Sequence, residues 1–147
     1  MSQRPPERDE LDALLDALLE FAQEMLRKQA EFFPFGGTIT TEGQVGLTAA
    51  DTGDGRPGSQ EVIELLASGM RAQATAGQIR ASAICYDSRF TLEGGEKTDA
   101  IAVSLEHRDG DAALVMQPYS KGRFTGLMFG QLVAMAPDQR RVFSPEP

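Results

Sequence analysis

The chain has 147 residues, the size of one domain, and its 41% hydrophobic and 24% charged residues are ordinary values for a globular protein. The 14 Lys and Arg residues against 22 Asp and Glu residues give a formal net charge of −8, which argues against binding to nucleic acid or to anionic membranes. One cysteine excludes an intrachain disulfide framework and one histidine excludes the usual multi-histidine metal sites, so no metal and no cofactor are expected.

The N-terminal part of the chain predicts a short leader followed by a long amphipathic helix. Residues 1–8 contain two prolines and alternating charges, which favours a disordered leader and argues against a secretory signal. From Asp9 to about Phe32, apolar residues recur at steps of three and four, the period of a helix with one buried face. Leu19 and Phe21 lie off the main apolar stripe and are the residues that would mark a partner-facing surface on this helix.

The middle of the chain predicts a hairpin and a second helix. Two short stretches, Phe35–Thr40 and Gln44–Ala50, are candidate strands, and the dipeptide Glu42-Gly43 favours a tight turn between them. A loop rich in Gly, Asp and Pro follows, and a second apolar stripe of helical period then extends from Ser59 to about Gly77. Gly69 lies inside this helix, where a glycine is costly, so we expect it to mark close packing.

The second half of the chain predicts consecutive strands, at Ile79–Phe90, Thr98–Arg108, Asp111–Pro118 and Phe124–Ala134. A two-residue turn at Asp109-Gly110 would place Leu105 opposite Leu114, so that apolar side chains pair across the hairpin. The other face of this hairpin would be small and only half apolar, and either solvated or in contact with a partner: Ala102, Ser104, Ala113, Val115 and Gln117. A short helical turn is predicted over residues 137–143, and a frayed tail is predicted over residues 144–147.

The predicted order of elements is α-β-β-α-β-β-β-β, in a single domain over residues 9–143. Consecutive strands favour an antiparallel sheet, here of about five to six strands packed with two helices, which is an α+β domain. The order is similar to that of the roadblock and profilin-like scaffolds. This is an analogy in element order alone, and a fold does not dictate a function.

No complete catalytic constellation can be assembled from the sequence. It contains no paired histidines, no Cys-x-x-Cys, no phosphate-binding Gly-rich loop and no Gly-x-Ser-x-Gly turn. The one thiol dyad available is Cys85 with His107, and a lone cysteine is more often a small buried core residue. We expect His107 to be a hydrogen-bonded residue beside a turn, and Glu106 to form an ion pair with a base on a neighbouring strand.

The most distinctive polar segment is Pro118-Tyr119-Ser120-Lys121-Gly122-Arg123-Phe124, which concentrates two cations and an aromatic residue at a predicted turn of an acidic chain. Such a turn can hold an acidic peptide or a phosphate, or it can be an ordinary solvated hairpin turn. The candidate ligand- or partner-binding residues are therefore Glu106, His107, Tyr119, Lys121 and Arg123.

Several segments occur together in one order: Phe32-Phe33-Pro34-Phe35-Gly36, Glu96-Lys97-Thr98-Asp99-Ala100-Ile101, Leu105-Glu106-His107-Arg108-Asp109-Gly110 and Pro118-Tyr119-Ser120-Lys121. In combination they resemble a family of small uncharacterised bacterial proteins with a Pro-Phe-Gly turn, a Glu-Lys-Ser/Thr-Asp-Ala-Ile strand and a Leu-Glu-His-x-Asp-Gly hairpin turn. The resemblance covers about residues 10–143. It implies a free-standing bacterial domain, and it implies no particular activity, cofactor or partner.

Two functional hypotheses follow from these observations. The first is a non-enzymatic cytoplasmic domain that binds another protein or a second copy of itself, because contact surface is predicted while no catalytic set is. An immunity protein against a basic toxin belongs to this class, since an acidic domain suits such a partner. The second is a small-ligand sensor or enzyme that gathers the five candidate residues around one end of the sheet. A cytoplasmic location is expected because the sequence has a lone Cys85, no secretory signal and no apolar run of about 18 residues.

Overall fold

A computed structural model describes residues 6–49, 59–122, 126–137 and 140–143. Its elements are α1 (Pro6–Gln29), β1 (Phe35–Thr40), β2 (Val45–Ala49), α2 (Ser59–Thr75), β3 (Ile79–Thr91), β4 (Lys97–His107), β5 (Ala112–Gly122), β6 (Gly126–Phe129) and β7 (Val133–Met135). This order confirms the predicted α+β domain with an antiparallel sheet. The predicted frayed tail and most of the predicted leader lie outside the described residues, as does Arg123.

All the strands in the described part of the chain form one seven-stranded sheet, in the order β2-β1-β3-β4-β5-β6, with β7 also paired to β5. The single strand predicted over Phe124–Ala134 is therefore wrong, because β6 and β7 are two short strands against opposite ends of β5. Pro118 lies in β5 between the two paired stretches and has no N–H to donate, so a regular ladder cannot continue past it. Its carbonyl instead accepts the N–H of Gly130 at 2.7 Å.

The two helices cover opposite faces of the sheet. α1 packs on β1, β3 and β4, and α2 packs on β3 and β1. α1 begins at Pro6, three residues before the predicted start, because proline is accepted in the first turn of a helix, where N–H groups have no intrahelical acceptor. Leu19 is buried in the core beneath α1, so the expectation that it marks a partner-facing surface is wrong, whereas Phe21 is 39% exposed.

The hairpin between β4 and β5 has a three-residue loop, and the predicted two-residue turn is wrong. The N–H of His107 donates to the carbonyl of Asp111 at 2.8 Å, and the N–H of Gly110 donates to the carbonyl of His107 at 2.9 Å. Gly110 has a φ of 104°, in the left-handed region that the third residue of such a loop requires. Leu105 therefore lies opposite Ala113 and not Leu114.

This shift of one residue moves every side chain of β5 to the other face of the sheet. Ala113 and Val115 lie beneath α1, and Tyr119 is buried with them. On the opposite face, Leu114 and Met116 pack with the alanines of β4. The second face of the hairpin is consequently more apolar than the sequence predicts.

Candidate functional site

The candidate residues that the structure describes do not form one pocket. Among the four that the structure describes, Glu106 and His107 are neighbours on β4 and so point to opposite faces of the sheet. His107 contacts Glu10 near the start of α1, whereas Lys121 donates from Nζ to the carbonyl of Ala30, just beyond the end of α1, at 2.7 Å. The helix between these two contacts is about 30 Å long. The geometry therefore does not support a site that gathers these residues at one end of the sheet.

His107 belongs to a hydrogen-bonded network that fastens the start of α1 to the sheet. The imidazole ring is buried. Its Nε2 atom lies 2.9 Å from Oε1 of Glu10, and its Nδ1 atom accepts a hydrogen bond from the backbone N–H of Asp109 at 3.2 Å. With Nδ1 as an acceptor, a neutral ring donates its proton from Nε2 to the carboxylate. Arg80 donates to the other oxygen of Glu10 and to the carbonyl of Thr41, the latter at 2.9 Å. All these contacts tie α1, β3, β4 and the β1–β2 turn together, which is a structural role.

Loss of the Glu10 carboxylate is expected to remove part of the acid sensitivity of the fold. Burial acts to raise the pKa of Glu10, but hydrogen bonds from His107 and Arg80 outweigh it, so the pKa lies below its ordinary value of 4.5. A lowered pKa in the folded state contributes stability that is present above the unfolded-state value and is lost as the pH falls through the folded-state value. We expect wild type to exceed Glu10→Gln in unfolding free energy at pH 7, with the gap closing below about pH 4.5. Urea titrations at a series of pH values measure the difference in unfolding free energy between wild type and Glu10→Gln. A difference that does not change with pH would contradict this prediction.

Glu106 holds a segment near the C-terminus of the chain against the sheet. Its buried carboxylate accepts the backbone N–H groups of Arg141 at 2.8 Å, Val142 at 3.1 Å and Phe143 at 3.0 Å. The predicted ion pair with a cross-strand base is therefore wrong. The helical turn predicted over residues 137–143 is also wrong where the structure describes it, because residues 141–143 form a bend whose N–H groups donate to this carboxylate.

A second polar cluster lies near the other end of the sheet. Tyr119 donates its hydroxyl proton to Oδ1 of Asp87 at 2.9 Å. Burial and the Asp87 carboxylate raise the pKa of Tyr119, so the hydroxyl remains a donor. Burial also raises the pKa of Asp87. The hydrogen bond from Tyr119 lowers this pKa and the negative charge of Asp99 raises it, and the net effect is an increase. Each group has a partner in this cluster, which indicates a structural contact between β3 and β5.

The thiol dyad considered from the sequence does not form. Cys85 lies opposite Val103, four positions from His107 along β4, which corresponds to about 13 Å. Burial raises the pKa of the Cys85 thiol well above its ordinary value of 9.0, with a further contribution from Asp87. Such a thiol is a poor nucleophile.

In the described part of the chain, no group of three or more His, Cys, Asp or Glu side chains is placed to hold a metal ion, and no helix is long and apolar enough to cross a membrane.

The feature that remains is the edge of the sheet formed by β2. Every residue of this strand is exposed, including Val45 at 47% and Leu47 at 45%. Among the described strands only β1 pairs with it, so no described strand pairs with its outer side. Edge strands of natural proteins are usually protected by charged side chains, proline or a bulge, and residues 45–49 contain no charge and no proline. β6 and β7, at the other edge, are shorter.

The hydrogen bonds of the β1–β2 turn define which main-chain groups of β2 face outward. The N–H of Thr40 donates to the carbonyl of Gln44 at 2.9 Å, across a three-residue loop that ends at Gly43 with a φ of 94°. Because hydrogen-bonded and non-hydrogen-bonded pairs alternate in an antiparallel ladder, Gly46 and Thr48 also pair with β1. The N–H and carbonyl groups of Val45, Leu47 and Ala49 therefore point away from the sheet.

Apolar side chains from both helices flank this edge. On the face beneath α1, Phe21 packs edge-on against Phe35, whose strand partner is Ala49, with 4.8 Å between ring centroids. On the other face, an open groove of about 390 Å³ separates β2 from α2, and Leu65, 48% exposed, lies on its wall. Gly69 also lines this groove and has no atom near its missing side chain, so the expectation of close packing there is wrong.

We call this surface the β2 edge; it consists of β2 with Phe21 and Leu65. The β2 edge cannot be recognised from local sequence, because alternating apolar residues in a short strand are typical of buried and exposed strands alike. The one sequence feature that indicates this surface is the uncharged stretch Val45–Ala49 in a chain of net charge −8.

No family model, no curated protein and no solved structure matches this chain, so the resemblance to a bacterial family stays a prediction.

Proposed function

We propose that this protein is a non-enzymatic protein-binding module of the cytoplasm, and that the β2 edge is its binding surface. The observation that carries the proposal is the outer side of β2, with which no described strand pairs and toward which the main-chain groups of Val45, Leu47 and Ala49 point. A partner adds an antiparallel strand here: main-chain hydrogen bonds supply affinity, and alternate side chains reach the flanking surfaces.

The apolar flanks of the β2 edge strengthen this proposal. Scattered single apolar residues are normal on a protein surface, but here Phe21, Val45, Leu47 and Leu65 gather along one strand. The groove beside α2 is open to the side chains of an added strand. By contrast, the side chains of Glu10, Glu106 and Tyr119 each have hydrogen-bond partners within the fold.

Leu47→Lys is expected to abolish partner binding, since it places a charge in the centre of the β2 edge while its exposed position spares the fold. Met128→Lys is the matched control, because Met128 is 55% exposed on β6, at the opposite side of the sheet. Tagged wild type and both variants serve as baits in a lysate of the source organism, with mass spectrometry of the retained proteins. We expect a protein retained by wild type and Met128→Lys and lost from Leu47→Lys. Identical retention by all three baits would refute the β2 edge as the binding surface.

A further inference from the structure

We infer that the partner at the β2 edge is a second copy of this chain, with β2 of each copy paired antiparallel across a two-fold axis at Leu47. This inference rests on the proposed function and names its partner. The hydrogen bonding of β2 makes the register specific. When Leu47 lies opposite the partner's Leu47, Val45 lies opposite the partner's Ala49. Each residue whose main-chain groups point outward then faces another such residue of the partner. Each facing pair of this kind exchanges two hydrogen bonds.

The neighbouring register on the side of the β1–β2 turn uses less of the strand. A two-fold axis at Gly46 would pair Val45 with the partner's Leu47 and leave the outward groups of Ala49 opposite the turn at Gly43. The N–H of Gly43 already donates to the carbonyl of Thr40 at 2.9 Å and is not available. The register centred on Leu47 also sets the larger Val45 against the smaller side chain of the partner's Ala49, which avoids crowding between the two copies.

The same two-fold axis pairs the exposed apolar residues. An axis perpendicular to the sheet keeps each face continuous across the two copies. Val45, Leu47 and Ala49 share the face of Ile39 and Phe35, beneath α1, so on this face Leu47 meets the partner's Leu47 and Val45 meets the partner's Ala49. Phe21 of each copy lies on the same face, against Phe35. Leu65 of each copy approaches the junction on the opposite face, beside the groove. A contact in which one patch meets itself is the form that a two-fold dimer requires.

The absence of charge on the β2 edge suits a second copy better than a basic partner. Two copies, each with a net charge of −8, repel each other, so contact is feasible only through an uncharged patch. The β2 edge has this property, because β2, Phe21 and Leu65 carry no charge. A basic partner, in contrast, would be attracted to acidic surface, which β2 does not offer. Added salt screens the repulsion between copies, so it is expected to strengthen this dimer, whereas it would weaken a complex with a basic protein.

Sedimentation velocity of the purified chain tests this inference across a wide range of protein concentration and at two salt concentrations. We expect wild type and Met128→Lys to show a concentration-dependent dimer that is favoured by salt, and Leu47→Lys to remain a monomer throughout. In Leu47→Lys, two ammonium groups would lie directly opposite each other across the axis.

Cysteine trapping tests the register itself. Residues that face each other in a hydrogen-bonded antiparallel pair have Cα atoms about 5.5 Å apart, within the range that a disulfide spans. Leu47→Cys is therefore expected to form a covalent dimer on mild oxidation. Val45→Cys is the control, because Val45 and the partner's Val45 would lie about 14 Å apart. The native Cys85 is buried and does not interfere.

Several outcomes would overturn the inference. These are a dimer that persists in Leu47→Lys, equal cross-linking of Leu47→Cys and Val45→Cys, or a wild-type chain that stays monomeric at every concentration. The proposed function is judged separately by the bait experiment. If the purified chain is monomeric while Leu47→Lys loses a foreign protein from the lysate, the β2 edge binds another partner and only the inference fails. If neither experiment responds to Leu47→Lys, both fail.

Discussion

Replacement of Glu106 by Ala is expected to lower the free energy of unfolding by about 3 kcal/mol and to release residues 141–143 from the sheet. The carboxylate is buried and accepts three backbone N–H groups, of Arg141, Val142 and Phe143. Hydrogen bonds to a charged acceptor are stronger than neutral ones, and their loss leaves N–H groups without a partner in a buried place. Val142, which packs with the core beneath α2, would lose its anchor at the same time.

Two measurements check this expectation. Urea unfolding followed by circular dichroism measures the free energy, and amide hydrogen exchange measures the protection of residues 141–143. Glu106→Gln is the informative intermediate, because its one carbonyl oxygen still accepts while its NH₂ group cannot, so we expect a loss about half as large as that of Glu106→Ala. Unchanged exchange at residues 141–143 in Glu106→Ala would show that other contacts hold the segment.

Leu18→Ala is expected to destabilise the fold by about 3 kcal/mol, because it opens a cavity at the centre of the core beneath α1. Leu18 has no exposed surface, and its Cδ1 lies 2.6 Å from the position that a Cβ on Gly37 would occupy. The absence of a side chain at Gly37 of β1 therefore leaves room for Leu18 of α1. Met128→Ala, at an exposed position, is the control and is expected to change stability by less than about 0.5 kcal/mol.

The close approach of Leu18 and Gly37 makes a double-mutant cycle informative. In the wild-type background Gly37→Ala forces the ends of Leu18 and Leu14 to move, so it is expected to destabilise. In the Leu18→Ala background the new methyl group enters the cavity, and the cost of Gly37→Ala should shrink or change sign. Urea unfolding of the four proteins gives the coupling energy. Additive effects would contradict the contact.

The β4–β5 hairpin shows why element order was predictable and register was not. The alternation of Ile101, Val103 and Leu105 with smaller or polar residues predicts a strand from the local sequence alone. The dipeptide Asp109-Gly110 is compatible with a two-residue or a three-residue loop, since glycine adopts the left-handed conformation in both. The choice between them comes from how all of β5 packs beneath α1, which no local pattern contains. A change of one residue in the loop then reassigns the whole face.

Candidate site residues were harder to predict than the fold for a related reason. Glu106 was singled out for its charge, but its partners are backbone groups more than thirty residues along the chain, and backbone donors have no signature in the sequence. His107 was expected to be held by hydrogen bonds beside its turn, and the N–H of Asp109 is such a contact. Its other partner, Glu10, lies 97 residues earlier in the chain and was not predicted.

The two helices, the order of the elements as far as β5 and the antiparallel class of the sheet follow from the sequence, because each depends on hydrophobic periodicity and turn residues within a short window. Tertiary structure alone decided that β2 lies at an edge, that its uncharged residues are exposed and that the polar groups singled out from the sequence are dispersed over both faces. The physical reason is that strand neighbours and burial are set by contacts between distant segments. A surface such as the β2 edge therefore exists only once the sheet has been assembled.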